Sequence, residues 1–137
     1  MKVFIDTGMW FGYLVRNDQH HQEARQVIIS LQAEGILLVT SDLILSETYT
    51  LLMRKLDTKA ALKFLDIIRQ QVEERFTQII WVDDAILKEA RMFLEKFSDH
   101  PLTLADASSA AILRRKNIPR IATFDHHFKI MGFSFLP

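Results

Sequence analysis

The chain has 137 residues, 17 Lys plus Arg balanced by 17 Asp plus Glu, 49% hydrophobic residues, four Gly, three Pro and no Cys. That length fits one domain over residues 1–137, and the even charge excludes a polycation that coats nucleic acid over its whole surface. Without Cys there is no disulfide scaffold, cysteine-bound zinc, thiol nucleophile or iron–sulfur centre.

Lys2 to Ile5 is a short apolar run ended by Asp6 and predicts a buried strand. Thr7 to Val15 predicts a first helix, and His20 to Ala33 a second with Ala24, Val27, Ile28 and Leu31 at helical spacing and Gly35 as its stop. Ile36 to Thr40 is a second apolar strand, after which Ser41 offers an N-cap to a helix carrying Leu43, Ile44, Thr48, Leu51 and Leu52. A turn at Asp57-Thr58 opens a further helix through Ala61, Phe64, Leu65 and Ile68. Gln78 to Val82 predicts a third strand, and Asp83 caps a helix running to about Phe97. The loop Asp99-His100-Pro101 precedes a helix from Thr103 to Lys116, closed by Asn117. Arg120 to Thr123 is a fourth strand, Asp125 to Phe128 turns into a last short element, and Phe133 to Leu136 adds an edge strand. Short apolar strands alternating with helices predict an α/β fold: a three-layer arrangement with a central, mainly parallel sheet of 4-5 short strands. The opening apolar run is too short for a signal peptide and no stretch approaches the roughly 18 residues of a membrane span, so the chain is expected to be cytoplasmic and free of membrane.

In open parallel sheets, sites form beyond the carboxyl ends of the strands. Asp6 follows the first strand and Asp125 the fourth, Asp106 lies in the first turn of the helix leading into the fourth strand, and Glu47 in the second turn of the helix leaving the second. Four carboxylates from four places are therefore expected at one edge. Each also has a purely structural reading: Asp6 as a helix cap, Asp106 as half of a Thr-x-x-Asp capping box, Asp125 in an Asx turn. Glu47 fits such a reading less well, because it shares a helix face with Leu43, Ile44 and Leu51, where an unpaired carboxylate is expensive. Arg54, two turns on, reaches Glu47 only weakly as a helical neighbour. Clustered carboxylates without cationic partners call for protons or a hard divalent cation, and an all-oxygen site suits Mg²⁺ or Mn²⁺ better than Zn²⁺. Such ions support in-line displacement at phosphorus, and the implied chemistry is phosphodiester hydrolysis.

Val3-Phe4-Ile5-Asp6-Thr7-Gly8, Ser46-Glu47-Thr48, Leu104-Ala105-Asp106-Ala107 and Thr123-Phe124-Asp125-His126-His127-Phe128 together resemble the four motifs of PIN-domain nucleases, most nearly the VapC-type toxin ribonucleases of toxin–antitoxin pairs. The resemblance runs the length of the chain. It implies a Mg²⁺- or Mn²⁺-dependent endoribonuclease, an antitoxin protein as partner, RNA as substrate and a homodimer. It places Asp6, Glu47, Asp106 and Asp125 at the catalytic, metal-binding positions, with Asp6 and Asp106 as the main ligands. Thr7 and Thr123 match hydroxyls that orient the acids or bind phosphate, and Asp99 stands where related sequences carry a further acid, as a loop cap or a supporting group. Gly8 departs from the Ser or Asn usual at the third position of the first motif.

His126 and His127 flank Asp125 and read as surface or packing residues, with substrate contact as the alternative. Arg114-Arg115-Lys116 complements a helix C-terminus and lies about 15 Å from Asp106 at 1.5 Å per residue. Arg16, Arg54 and Lys129 are better placed for RNA, and the aromatic stripe Trp10, Phe11, Tyr13 reads as core or partner contact. Two rival functions remain. A phospho-aspartate phosphatase needs a second Asp where Gly8 stands and a Lys after a strand, and neither is present. A non-catalytic binding module would not need all four acids.

Overall fold

The computed structural model describes residues 1–137. Five strands, β1 (Lys2–Ile5), β2 (Leu37–Ser41), β3 (Thr77–Ile80), β4 (Arg120–Ala122) and β5 (Ser134–Leu136), pair in the order β3-β2-β1-β4-β5. Every pairing is parallel, as expected of short strands without polar alternation. Seven helices flank the sheet: α1 (Thr7–Leu14), α2 (His21–Ala33), α3 (Asp42–Lys55), α4 (Thr58–Glu73), α5 (Asp84–Lys96), α6 (Leu104–Arg115) and α7 (His127–Ile130). The fold is the α/β class read from the sequence.

β1 is central, with β2 on one side and β4 on the other. The chain leaves β1 toward β2 and returns on the opposite side at β4, so the crevice between their carboxyl ends is a topological switch point where ligands bind in sheets of this kind. Asp6 and Thr123 sit at that crevice as the residues directly after β1 and β4. α3 starts from the end of β2, and α6, antiparallel to β4, begins at the same edge.

A cluster of 31 buried hydrophobic residues forms the core. α6 is buried from Ala105 to Leu113. Its small residues (Ala105, Ala107, Ser108, Ser109, Ala110, Ala111) permit close approach from the sheet and neighbouring helices. Trp10 is 1% exposed and its indole N–H donates to Thr40 Oγ1 at 3.4 Å, so it belongs to the core and not to a partner surface. Phe11 and Tyr13 pack on that core while half-exposed.

Capping chemistry matches the sequence at three helices: Ser41 accepts from Ile44 N–H, Asp57 from Ala60 N–H and Asp83 from Ile86 N–H. β3 is displaced from its expected span of Gln78 to Val82. It pairs with β2 only over Thr77–Ile80, and the Val82 amide turns instead to Asp42 Oδ1 at 2.8 Å, leaving Trp81 68% exposed. Gly35 and Asn117 end their helices in the left-handed region, at φ 72° and 53°.

Candidate active site

The four acids lie close enough to act on one another's charge, and the structural readings of Asp106 and Asp125 hold while that of Asp6 does not. Asp6 occupies the N-cap position of α1 yet makes no capping hydrogen bond; its Oδ2 accepts instead from the Thr123 hydroxyl at 2.7 Å. The same hydroxyl accepts from Asp125 N–H at 2.9 Å, so one buried threonine ties the ends of β1 and β4 together. Asp106 does complete the capping box, accepting from Thr103 N–H while Thr103 Oγ1 accepts from Asp106 N–H, both at 3.0 Å. Asp125 does form an Asx turn, accepting from His127 N–H at 2.9 Å. These bonds leave carboxylate lone pairs free, so they aim the acids without consuming them. Glu47 accepts the Thr7 hydroxyl at 2.5 Å.

Electrostatics mark the cluster as under strain of charge. Burial is the chief cause that lifts the Asp6 carboxyl to about 7, opposed by the Thr123 hydroxyl and assisted by the charges of Asp106 and Glu47. Glu47 is raised by burial first, against the Thr7 hydrogen bond, and further by Asp106 and Asp125. Asp106 is raised by burial and by Asp125, while its bonds to Thr103 and the nearby His127 oppose the shift. The ion pairs made by Lys or Arg are Lys88–Asp84, Arg91–Glu95 and Arg114–Glu89. None reaches the cluster, and Arg54 does not pair with Glu47.

His127 lies inside the site, not on the surface. Its side chain is 25% exposed, and Nδ1 sits 3.1 Å from Asp125 Oδ1 yet makes no hydrogen bond. One ligand atom each from Asp106, Asp125 and His127 lie within 4.8 Å of one another. The tightest donor group is therefore this trio, with Asp6, buried and coupled in charge to Asp106, beside it. Three acids that resist ionisation, an unpartnered buried imidazole nitrogen and no Lys or Arg partner fit a divalent cation of hard to borderline character. Asp99 is outside the cluster: its side chain is 83% exposed, its Oδ1 lies 3.8 Å from His100 Nε2, and it makes neither a loop-capping hydrogen bond nor one to the four acids.

The description of a PIN domain matches residues 3–134. The chain belongs to the PIN-domain family. Over 134 residues this PIN domain is 27% identical to the 23S rRNA-specific endonuclease VapC20 of Mycobacterium tuberculosis, covering 96% of this chain and 95% of that protein. A VapC ribonuclease of Archaeoglobus fulgidus is 27% identical over 132 residues, covering 95% and 81%. The crystal structure of VapC20, described as a sarcin–ricin loop cleaving toxin, is similar with a TM-score of 0.83 at 27% identity over 96% of this chain and 95% of that one. The VapBC2 structure of Rickettsia felis, bound to a promoter DNA fragment, shares the fold with a TM-score of 0.70 at 17% identity over 98% and 97%.

Two features of this PIN domain escaped the sequence. A groove of about 510 Å³ is lined by Thr7, by Leu43, Glu47, Leu51 and Arg54 of α3, and by Leu104 of α6. His20 stacks on Phe124, one residue before Asp125, with ring centroids 4.0 Å apart and 10° from parallel. The groove needs the packing of α3 against α6, which no local pattern reports. The His20–Phe124 pair joins residues 104 positions apart.

Proposed function

We propose that this PIN domain is a divalent-metal-dependent endoribonuclease, the toxin of a toxin–antitoxin pair, working as one unit over residues 1–137 in the cytoplasm. The observation that carries the reading is the convergence of Asp6, Glu47, Asp106 and Asp125 at the switch point without a Lys or Arg partner. Its relatives named as VapC ribonucleases support RNA as the substrate, and structural neighbours solved as VapBC complexes support an antitoxin protein as the partner. A homodimer is the expected free assembly.

Asp106, Asp125 and His127 would hold the cation, with Asp6 and Glu47 completing the site directly or through water. Mg²⁺ and Mn²⁺ fit the carboxylates, and of the two Mn²⁺ tolerates the His127 nitrogen better. When bound, the cation supplies the positive charge that makes a water a competent nucleophile and offsets charge at the reacting phosphate. The chain's own residues supply position. Thr123 fixes Asp6 relative to Asp125, Thr7 fixes Glu47, and Thr103 fixes Asp106. Asp6 and Asp106 stand at the starts of helices, Glu47 inside α3 and Asp125 in the hydrogen-bonded turn between β4 and α7, which limits their motion as a reacting group approaches. No side-chain nucleophile is required, in keeping with the absence of Cys.

Calorimetric titration of Mn²⁺ into the wild type and Asp106→Asn tests the centre, and end-group analysis of RNA products tests the chemistry. The reading expects Mn²⁺ binding that Asp106→Asn weakens at least tenfold, and products without a 2′,3′-cyclic phosphate. Equal Mn²⁺ affinity in the two proteins, or cyclic-phosphate ends, would contradict it.

A further inference from the structure

The groove beside the acids has a polarity that the cluster itself lacks. Its acid is Glu47, beside Thr7, its walls are Leu43, Leu51 and Leu104, and its cation is Arg54, toward the C-terminal end of α3. Residues 43, 47, 50, 51 and 54 form one stripe of α3, along which Ser46 and Thr50 add hydroxyls. Arg54 follows Glu47 by seven residues, about 10 Å along the axis at 1.5 Å per residue. It is exposed and enters none of the ion pairs made by Lys or Arg in this chain. The other cations singled out in the sequence lie elsewhere: Arg16 lines a separate cavity with His21 and Arg25, and Lys129 stands exposed on α7.

We propose that the α3–α6 groove is a nucleotide subsite in which Arg54 grips a phosphate flanking the scissile one, the apolar walls meeting the sugar and base between them. The inference rests on the endoribonuclease reading and adds the direction in which the substrate leaves the acids. Three properties favour RNA as the occupant. The groove opens directly from the acidic site, so a chain engaged there continues into it. Its only charged residues are Glu47, which belongs to the acidic site, and Arg54 seven residues on, a cation set apart from the acids as a polyanion held at a metal centre would need. Its hydroxyls suit phosphate oxygens and ribose, and its leucines suit base faces. Seven residues beyond Glu47, about 10 Å along the helix axis, Arg54 stands at the right spacing for a phosphate next to the scissile one. It is a positioning residue.

The test compares steady-state cleavage of a single-stranded RNA oligonucleotide by wild type, Arg54→Ala and Arg54→Lys, over a range of salt concentrations. Calorimetric Mn²⁺ affinity is measured on the same preparations. Arg54→Ala is expected to raise KM about tenfold with kcat within about twofold, and to reduce the slope of log kcat/KM against log salt by about 0.7, the loss of one phosphate contact on a single strand. Arg54→Lys is expected to keep the salt slope and recover part of KM, because the charge remains but the fork of donors is lost. Mn²⁺ affinity is expected to be unchanged. An unaltered KM and salt slope in Arg54→Ala, beside active wild type, would overturn the subsite and leave the nuclease standing; that is the result if the groove serves an acidic protein segment instead. A wild type that binds Mn²⁺ but cuts no RNA would remove the functional reading and the subsite with it.

Discussion

Asp6→Asn is expected to make the metal-free protein more stable while abolishing its chemistry. Asp6 is 5% exposed and its carboxyl is raised from 3.8 to about 7. A carboxyl with a raised folded-state pKa binds its proton more tightly folded than unfolded, so stability is greatest at low pH and is lost as pH rises from about 4 through about 7. Three units at 1.36 kcal/mol each amount to about 4 kcal/mol lost above that window. Asn carries no charge to desolvate and keeps an oxygen to accept the Thr123 hydroxyl. In EDTA at pH 8 the variant should therefore exceed wild type by about 2–4 kcal/mol, or roughly 10 °C in Tm for a chain of this size. By pH 5 less than half of that advantage should remain. Mg²⁺ should stabilise wild type, by about 2.7 kcal/mol at a hundred times its Kd, and stabilise the variant less at the same concentration. Urea unfolding at both pH values, with and without Mg²⁺, measures all three. A variant no more stable than wild type in EDTA at pH 8, or an advantage that does not shrink on acidification, would refute the argument.

Thr123→Val should lower stability by about 1–3 kcal/mol by stranding Asp6 Oδ2 and Asp125 N–H, and weaken Mn²⁺ binding about 10–100-fold, whereas Thr123→Ser should retain most of both. Calorimetry and denaturation check this. Ser108→Ala should raise stability by up to about 1 kcal/mol in urea unfolding, because the Ser108 hydroxyl is buried in α6 with no hydrogen-bond partner. Gly8→Ala should add about 0.5–1 kcal/mol by the same assay: a Cβ there meets only Phe124 Cδ2 at 3.9 Å, and α1 gains a better helix former.

Why the acids were legible and their neighbours were not follows from the range of the interactions. Asp6 and Asp125 stand within two or three residues of strand ends, and Thr103-x-x-Asp106 is a local box, so position along the chain already implies position at the sheet edge. Glu47 was legible as a charge on an apolar helix face. The limits of β3 were not, because Val82 reads as strand until Asp42, 40 residues earlier, takes its amide. His127 looked like a surface residue because a His beside an acid in a turn has no period to report its burial. Its place beside Asp106 depends on how α7 folds back over the start of α6. The structural and chemical readings of Asp106 and Asp125 also proved compatible. One oxygen closes a box or a turn while the carboxylate still faces the site.

The most direct measurement of the central claim is cleavage of an end-labelled single-stranded RNA by purified protein in Mg²⁺, in Mn²⁺ and in EDTA, beside Asp6→Asn prepared identically. The account predicts cutting that requires the metal, is abolished by EDTA, and falls by at least a hundredfold in Asp6→Asn although that variant is folded and more stable. Cutting that persists in EDTA, or equal cutting by the two proteins, would contradict it.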